Sequence, residues 1–324
     1  MSNASDFVIE KGVLRKYIGK GGAVVVPDGV QKLDFYAFRG NTKITSVTIP
    51  DSVRKLGSFE GCTALTSITI PEGVKQLGSF KGCAALTSIV IPGSVVGLIE
   101  EIFSGCKKLA SVIFEGSVGI IDAYAFNGCA ALSSITLPEG IWKIESCAFK
   151  DCKKLASVTI PNGVKQIETA AFKNCAALTS VTIPDGVWLF GDSVFAGCTN
   201  LTSVTFPDSV SGISKSVFAG CNSLRTISIS NPIIVPTDFR YAAVLGFARA
   251  QMPSDDPRCA EYYKVIKSSA KKWMLQAVTD IELLALMCRN KLIPAPQITA
   301  YLEAAQATGN TECVAMLLEY TNKK

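Results

Sequence analysis

The sequence predicts an α+β repeat protein in which a β-rich solenoid is followed by a small all-α domain. Two observations predict the solenoid: a proline recurs about every 23 residues, and a short segment of alternating apolar and hydroxyl side chains precedes it. The repeat stops after Ser230, where Pro232 and Pro236 mark a boundary and a helical pattern begins. We therefore predict an N-terminal strand cap at residues 1–22, a solenoid of about nine repeats at 23–230 and a helical domain at 231–324.

The first element is predicted to be a pair of short strands at residues 7–17, joined by a turn at Glu10-Lys11-Gly12. A solenoid end exposes both apolar side chains and an unpaired strand edge. We expect this strand pair to cover the first turn of the solenoid.

The proline position sets the register of the repeats. Its occupants are Pro27, Pro50, Pro71, Pro92, Glu115, Pro138, Pro161, Pro184, Pro207 and Ser230. Successive separations are 23, 21 and 21 residues, and 23 residues from there on. The residues one and three positions before the proline are apolar, as at Ile183 and Val181, which predicts ten strands with one buried face. The position between them predicts an exposed hydroxyl column that includes Thr136, Thr159, Thr182 and Thr205.

Each proline ends one strand because it cannot donate a hydrogen bond to the ladder, and a second short extended segment is predicted to follow. Aliphatic pairs such as Val164 and Ile167 indicate that segment. A phenylalanine then recurs in every repeat, which predicts a stacked aromatic column in the interior. The column consists of Phe38, Phe59, Phe80, Phe103, Phe126, Phe149, Phe172, Phe195 and Phe218.

The repeated phrase Ile-Pro-x-Gly-Val-x-x-Ile-x-x-x-Ala-Phe-x-x-Cys-x-x-Leu-x-Ser-Val-Thr resembles the BspA-like leucine-rich repeat, also called the Treponema-pallidum-type repeat, of bacterial and some protozoan proteins. The resemblance covers about residues 24–230. It implies a right-handed leucine-rich-repeat solenoid with the Ser-Val-Thr-Ile strand on its concave side, and a role in adhesion or protein binding. The chain departs from the pattern at Asn41, which replaces the first cysteine, and in the two 21-residue repeats, where we expect a locally tightened coil.

The helical domain is predicted to contain five helices, at residues 237–250, 256–278, 280–290, 296–307 and 310–320. Residues 305–319 resemble the two helices of an ankyrin repeat, with Gly309 at the turn between them. This second resemblance is short and lacks the Thr-Pro-Leu-His opening of the repeat. Its minimum implication is a helical cap on the last turn of the solenoid.

Composition excludes several classes of function. The chain has no histidine, which excludes Ser-His-Asp and Cys-His catalysis and His-ligated zinc. Its formal charge of +5 is small for 324 residues, so we expect no nucleic-acid partner. No apolar stretch is long enough for membrane insertion. Without a visible export signal we expect a cytoplasmic protein, or a cell-surface or secreted one if Ser2-Asn3-Ala4 is a cloning remnant that replaced a leader.

Twelve cysteines raise the question of metal binding. Eight of them occupy one repeat position and no Cys-x-x-Cys pair exists, so we predict a buried column of free thiols, with neither a metal site nor a cofactor. The Ser-x-x-Lys spacing at Ser268 and Lys271, and at Ser269 and Lys272, has no companion motif and predicts a solvated helix face. We therefore expect no catalytic residue.

Candidate partner-binding residues lie where the repeats differ. Trp142 and Trp188 share the position four residues after the proline, where most other repeats carry polar or small side chains, and Leu189 extends the apolar surface. The alternative is that other parts of the molecule cover these indoles. The threonine column is a second candidate surface.

These observations predict a non-catalytic protein-binding module or interaction scaffold of bacterial origin, whose protein partner the sequence does not identify. One alternative is a surface adhesin that binds host proteins, as the family resemblance implies. Another is an enzyme with its site in the C-terminal helical domain, where converging carboxylates of raised pKa would be expected.

Overall fold

The computed structural model describes residues 4–251 and 255–322, so residues 2 and 3 of the suspected cloning remnant lie outside the described part. The strands are β1 (Phe7–Glu10), β2 (Val13–Tyr17), β3 (Gly22–Val25), β4 (Lys32–Leu33), β5 (Ile44–Thr48), β6 (Ser67–Thr69), β7 (Ser88–Ile91), β8 (Ser111–Phe114), β9 (Ile120–Ile121), β10 (Ser134–Thr136), β11 (Lys143–Ile144), β12 (Ser157–Thr159), β13 (Gln166–Ile167), β14 (Ser180–Thr182), β15 (Leu189–Phe190), β16 (Ser203–Thr205) and β17 (Thr226–Ser228). The helices are α1 (Arg240–Arg249), α2 (Arg258–Ser269), α3 (Met274–Ala277), α4 (Ile281–Arg289), α5 (Ile298–Thr308) and α6 (Thr311–Asn322). The predicted fold class is confirmed: a β-solenoid of stacked parallel strands precedes a helical region.

The chain forms two compact units. The first contains the chain up to Leu201 together with Ser214–Ser223, and the second contains Thr202–Ile213 together with the chain from Leu224 onward. The second unit therefore includes two solenoid strands, β16 and β17, as well as the helices.

The strands that precede the prolines form parallel ladders in which equivalent residues of successive repeats are aligned. Val47 pairs with Ile68, for example, and Thr48 pairs with Thr69. The described residues contain ten such strands, as the proline spacing predicts: β3, β5, β6, β7, β8, β10, β12, β14, β16 and β17. Most of the apolar side chains one and three positions before the proline are buried, whereas most of the alternating hydroxyl side chains face solvent.

A second ladder follows the proline turns. Strands β9, β11, β13 and β15 pair in parallel in that order, with Ile144 opposite both Ile121 and Ile167. In the interior, the predicted phenylalanine column stacks with consecutive ring centroids 5.1–6.3 Å apart and ring planes within 20° of each other. Its side chains are fully buried, so the column packs each turn on the next.

The eight thiols of the predicted cysteine column are buried beside the aromatic column. Each Sγ donates a hydrogen bond to a phenylalanine carbonyl of the preceding repeat; Cys152 bonds to Phe126 and Cys175 to Phe149, both at 3.2 Å. Burial raises the pKa of these thiols, to about 12 for Cys129. They therefore remain protonated and serve as small apolar groups with one satisfied donor.

The N-terminal strands β1 and β2 pair antiparallel, and β2 pairs in parallel with β4 of the first repeat. Tyr17 of β2 lies 5.5 Å from the ring of Phe38 and so extends the aromatic column by one ring. The segment covers apolar side chains that the first solenoid turn would otherwise expose.

The two 21-residue repeats absorb their missing residues in one short segment. An ideal Cβ on Gly57 would lie 1.9 Å from the Asp34 carbonyl oxygen, and one on Gly78 would lie 2.0 Å from the Gly57 carbonyl oxygen. Only glycine permits this approach of two backbones. The phenylalanine spacing in these repeats, 5.1 and 5.3 Å, is close to that of the longer ones, so the stacking of the turns is unchanged and the predicted tightening of the coil is wrong; the missing residues change only this segment.

In the second unit, helix α1 packs against strand β17. An ideal Cβ on Gly246 would lie 2.6 Å from the Ile227 carbonyl oxygen, so the absence of a side chain there brings the helix backbone onto the strand. The Tyr262 hydroxyl of α2 donates to the Ile229 carbonyl oxygen at 2.6 Å. The helices therefore cover the last strand.

One predicted helix is wrong in its extent. The pattern at residues 256–278 predicts a single helix, whereas the structure has α2 and α3 with a turn at residues 270–273 between them. The Tyr301 hydroxyl donates to the Ala270 carbonyl oxygen at 2.7 Å and satisfies it where α2 ends, and Trp273 is buried in the turn. Helices α5 and α6 are joined at Gly309, which has a φ of 69°. Their likeness to an ankyrin repeat stays a prediction.

Candidate functional site

The candidate tryptophans lie in one column of the second ladder. Trp142 directly precedes β11 and Trp188 directly precedes β15, with Lys165 at the equivalent position of the turn between them. Trp188 N donates to Lys165 O at 3.0 Å, Lys165 N to Trp142 O at 2.8 Å, and Trp142 N to Gly119 O at 2.9 Å. These backbone hydrogen bonds fix the two indoles two turns apart, roughly 10 Å.

Both indoles are accessible to solvent. Trp142 is 44% exposed and Trp188 is 58% exposed. The ring of Trp142 lies beside Gly119, where an ideal Cβ would be 3.6 Å from the indole Nε1. The Lys165 ammonium lies over Gly186, 2.6 Å from an ideal Cβ there. The surface formed by Trp142, Lys165 and Trp188, which we call the tryptophan surface, therefore presents two apolar rings and one cation.

Leu189 and Phe190 follow Trp188 in β15 and are half-buried. The Phe190 ring lies 5.9 Å from the Phe195 ring of the aromatic column, so this strand is anchored in the core. Leu189 is opposite Gln166 in the ladder and extends the accessible apolar area beyond Trp188. The apolar continuation that the sequence predicts is present, but it is smaller than two fully exposed side chains would make it.

The threonine candidates lie in different sheets from the tryptophans. Thr136 and Thr159 are exposed and directly opposite each other on β10 and β12. Thr182 on β14 is exposed in the first unit, and Thr205 on β16 is exposed in the second. The structure therefore separates the two candidate surfaces that the sequence analysis names.

Two features were missed at the sequence level. Lys165 is part of the tryptophan surface because its backbone is hydrogen-bonded between Trp142 and Trp188. Its position between the two tryptophans in the repeat alignment could have predicted this. Val90 and Ile113 replace threonine in the hydroxyl column, pair directly across β7 and β8, and are 40% and 53% exposed. The break in the threonine column was the signal for that apolar pair.

The helical unit contains a cleft of about 460 Å³, lined in part by Arg225, Tyr241, Arg249 and Asp280. Two of its charged groups, Arg249 and Asp280, have structural partners. Asp280 caps α4 by accepting from Leu283 N at 3.1 Å and bonds to Arg249 at 3.2 Å. Burial raises the pKa of Tyr241 to about 12, which keeps the phenol protonated. The Asp280 carboxylate is therefore occupied by contacts that hold the helices in place.

Further chemistry is equally absent from the described residues. The Ser268 hydroxyl donates to the Val265 carbonyl oxygen of its own helix at 3.0 Å, whereas Lys271 is exposed in the turn after that helix, so the predicted helix face does not extend to the lysine. Within residues 4–251 and 255–322, no group of three or more Cys, Asp or Glu side chains is placed to hold a metal ion. None of the helices in these ranges has the length and apolar character needed to cross a bilayer.

Parallel ladders of short strands, an interior stack of phenylalanines and a buried leucine and cysteine core define a leucine-rich-repeat solenoid. A family model described as the BspA type leucine rich repeat region matches residues 20–133 and 119–240, with six copies of the repeat. The chain belongs to this family.

Solved structures of similar proteins come from bacteria. A leucine-rich repeat protein from Bacteroides ovatus is 29% identical, with 68% of each chain covered and a TM-score of 0.54. The T. pallidum leucine rich repeat protein is 31% identical, with 62% of this chain and 90% of that chain covered and a TM-score of 0.44. A leucine rich cell surface protein from Faecalibacterium prausnitzii is 27% identical, with 75% and 90% covered and a TM-score of 0.42. None of the curated proteins compared with the chain matches it.

Proposed function

We propose that this chain is a non-catalytic protein-binding scaffold and that its partner contacts the tryptophan surface. The observation that carries the proposal is the exposure of Trp142 and Trp188 on a hydrogen-bonded ladder. Tryptophan is enriched among the residues that dominate binding energy at protein interfaces. Because the ladder fixes the backbone at the two indoles, binding of a partner incurs no entropic cost for ordering that backbone.

A non-catalytic role is supported by the chemistry of the chain. It contains no histidine, and Arg249 and Asp280 of the helical cleft are held in structural contacts. The buried thiols are kept protonated by their surroundings, which makes them poor nucleophiles. Binding through a shaped surface needs none of these groups.

The test compares the wild type with a Trp142→Ala/Trp188→Ala variant in affinity capture. Bacterial lysate and host extracellular-matrix extract serve as separate sources, and quantitative mass spectrometry identifies the captured proteins. Removing two interface tryptophans is expected to lower the affinity for the partner at least about tenfold, because truncation of a hot-spot residue costs about 2 kcal/mol or more of binding free energy. The melting temperature is expected to stay unchanged because both side chains are exposed.

A Phe35→Ala/Tyr36→Ala variant is the matched control, since these two aromatic side chains are 49% and 66% exposed at another position of the first unit. It should capture the same partner as the wild type. Equal losses in both double variants, or a lower melting temperature in the tryptophan variant alone, would argue against the proposal.

A further inference from the structure

A row of cations lies in the first turns of the solenoid, in the segment after the proline that carries the tryptophans in later turns. Lys32 and Lys55 are opposite each other, and Lys55 is followed by Gln76 in the next turn. Lys75 lies beside Gln76, and its N donates to the Arg54 carbonyl oxygen at 3.1 Å. Lys32, Lys55 and Lys75, the lysine row, are all exposed. Positive charge therefore recurs in three consecutive turns that are about 4.8 Å apart.

The contacts of the lysine row with carboxylates are long: Lys32 interacts electrostatically with Asp34 but forms no ion pair with it. Among the described residues, none of the three forms an ion pair within 4.0 Å. The neighbouring carboxylate of Asp34 is already bound by Arg15 at 2.9 Å. Lys143, at the equivalent position of a later turn, shows the contrast, since it contacts Glu145 and Glu168 at 2.9 and 3.1 Å.

Packing does not require these charges. The later turns place Ile120, Gln166 and Leu189 at the positions equivalent to Lys32 and Lys55. Like charges directly opposite each other destabilise a sheet, so the row works against the ladder that carries it. It also borders an open depression of about 600 Å³ lined by Gly29, Gln31, Lys32, Ser52, Arg54 and Lys55. The depression offers space in which a bound group can reach several of the cations together.

We infer that the lysine row binds an acidic segment of the partner protein, the same partner that contacts the tryptophan surface. This inference rests on the proposed function. Both sites lie in the segment that follows the proline turns of one compact unit, and backbone hydrogen bonds continue from the cations toward the later turns: Arg54 N donates to Gln31 O at 2.9 Å, and Val96 N donates to Lys75 O at 3.5 Å. The seven turn steps from Gln31 to Trp188 span roughly 34 Å, which about ten residues of an extended chain cover. A few carboxylates at one end of such a segment match the lysine row, and apolar side chains at its other end match the indoles.

The size of the row favours an acidic peptide over other anions. Its charge extends over three turns, roughly 10 Å, and apolar surface follows it. A nucleic acid or an anionic lipid surface presents charge over a larger area than the row spans. Both serve as competing outcomes of the test.

The test measures the fluorescence anisotropy of a labelled dodecaglutamate peptide, with a Gly-Ser peptide of the same length as the neutral probe. Wild-type protein at about 20 mM salt is expected to bind the acidic peptide and to release it at about 300 mM salt, because exposed charges are screened. Lys32→Glu/Lys55→Glu/Lys75→Glu is expected to weaken binding at least about tenfold. The control is Lys107→Glu/Lys108→Glu/Lys153→Glu, which makes the same change in net charge at exposed lysines outside the ladder and should bind like the wild type.

Equal binding of the acidic peptide by both triple variants would overturn the inference, as would no preference over the Gly-Ser peptide. The inference would also be overturned if the wild-type protein bound phosphatidylserine vesicles or single-stranded DNA but not dodecaglutamate. These failures are distinct from failure of the proposed function, which is decided by capture with the Trp142→Ala/Trp188→Ala variant. Support for both the proposed function and this inference requires that Lys32→Glu/Lys55→Glu/Lys75→Glu also binds less of the partner found in that capture.

Discussion

Phe149 lies in the middle of the aromatic column, and its replacement tests whether the column is the main source of stability. Its ring is fully buried, with Phe126 and Phe172 stacked on either side at 5.2 Å. Truncation of a buried phenylalanine to alanine costs about 3–5 kcal/mol. The cost in a stacked-repeat protein includes the interfaces with both neighbouring turns, so we expect the upper part of that range, about 4–5 kcal/mol, for Phe149→Ala.

A Phe149→Leu variant separates aromatic stacking from apolar volume. Leucine keeps most of the buried apolar area but loses two ring pairs, each worth about 0.5–1.5 kcal/mol, so we expect a loss of about 1–3 kcal/mol. The assay is urea unfolding followed by circular dichroism, with Tyr36→Ala as an exposed aromatic control that should change stability by less than about 0.5 kcal/mol. A loss below about 2 kcal/mol for Phe149→Ala, or equal losses for both Phe149 variants, would refute the reasoning.

Two other predictions concern the shortened repeats and the thiols. Gly57→Ala is expected to destabilise the protein by about 2 kcal/mol or more in urea unfolding, because the new Cβ would overlap the Asp34 carbonyl oxygen. The control Gly97→Ala places its Cβ in open space and should leave stability nearly unchanged. Similar losses of stability in the two variants would contradict this account. Burial raises the pKa of the Cys62 thiol to about 11 in the folded state. Above about pH 9 the unfolded state therefore loses thiol protons that the folded state keeps. The free energy of unfolding then falls by up to about 1.4 kcal/mol per pH unit for each buried thiol. Urea midpoints measured across this range should decline with pH, less steeply in Cys175→Ala, and a pH-independent midpoint would show that the thiols are not responsible.

Much of the fold could be predicted because each repeat states the same pattern. The invariant phenylalanine predicts the interior stack, and the alternation around residues such as Val181 and Ile183 predicts which strand face is buried. The break in the predicted helix at 256–278 could not be seen in this way. It depends on a hydrogen bond from Tyr301, about thirty residues later, to Ala270, and local periodicity carries no information on such a distant donor.

The candidate site was predictable only in part. The polar residues at the equivalent position of other repeats, such as Gln31 and Lys75, indicated correctly that Trp142 and Trp188 are exposed. The small net charge, in contrast, concealed the lysine row. Charge summed over a chain averages away a cluster that appears only when repeats are stacked, because Lys32 and Lys55 are 23 residues apart in sequence and one turn apart in space.

The contact between α1 and β17 determines where the stacking of turns stops. The last strand of a parallel ladder offers unpaired backbone groups on which an equivalent strand of another copy can add, and repeated addition of that kind produces an open-ended filament. The missing side chain at Gly246 lets the helix backbone occupy that edge. A larger residue at this single position is therefore expected to lift the helix and to expose the edge of the last strand, while the N-terminal strands still cover the first turn.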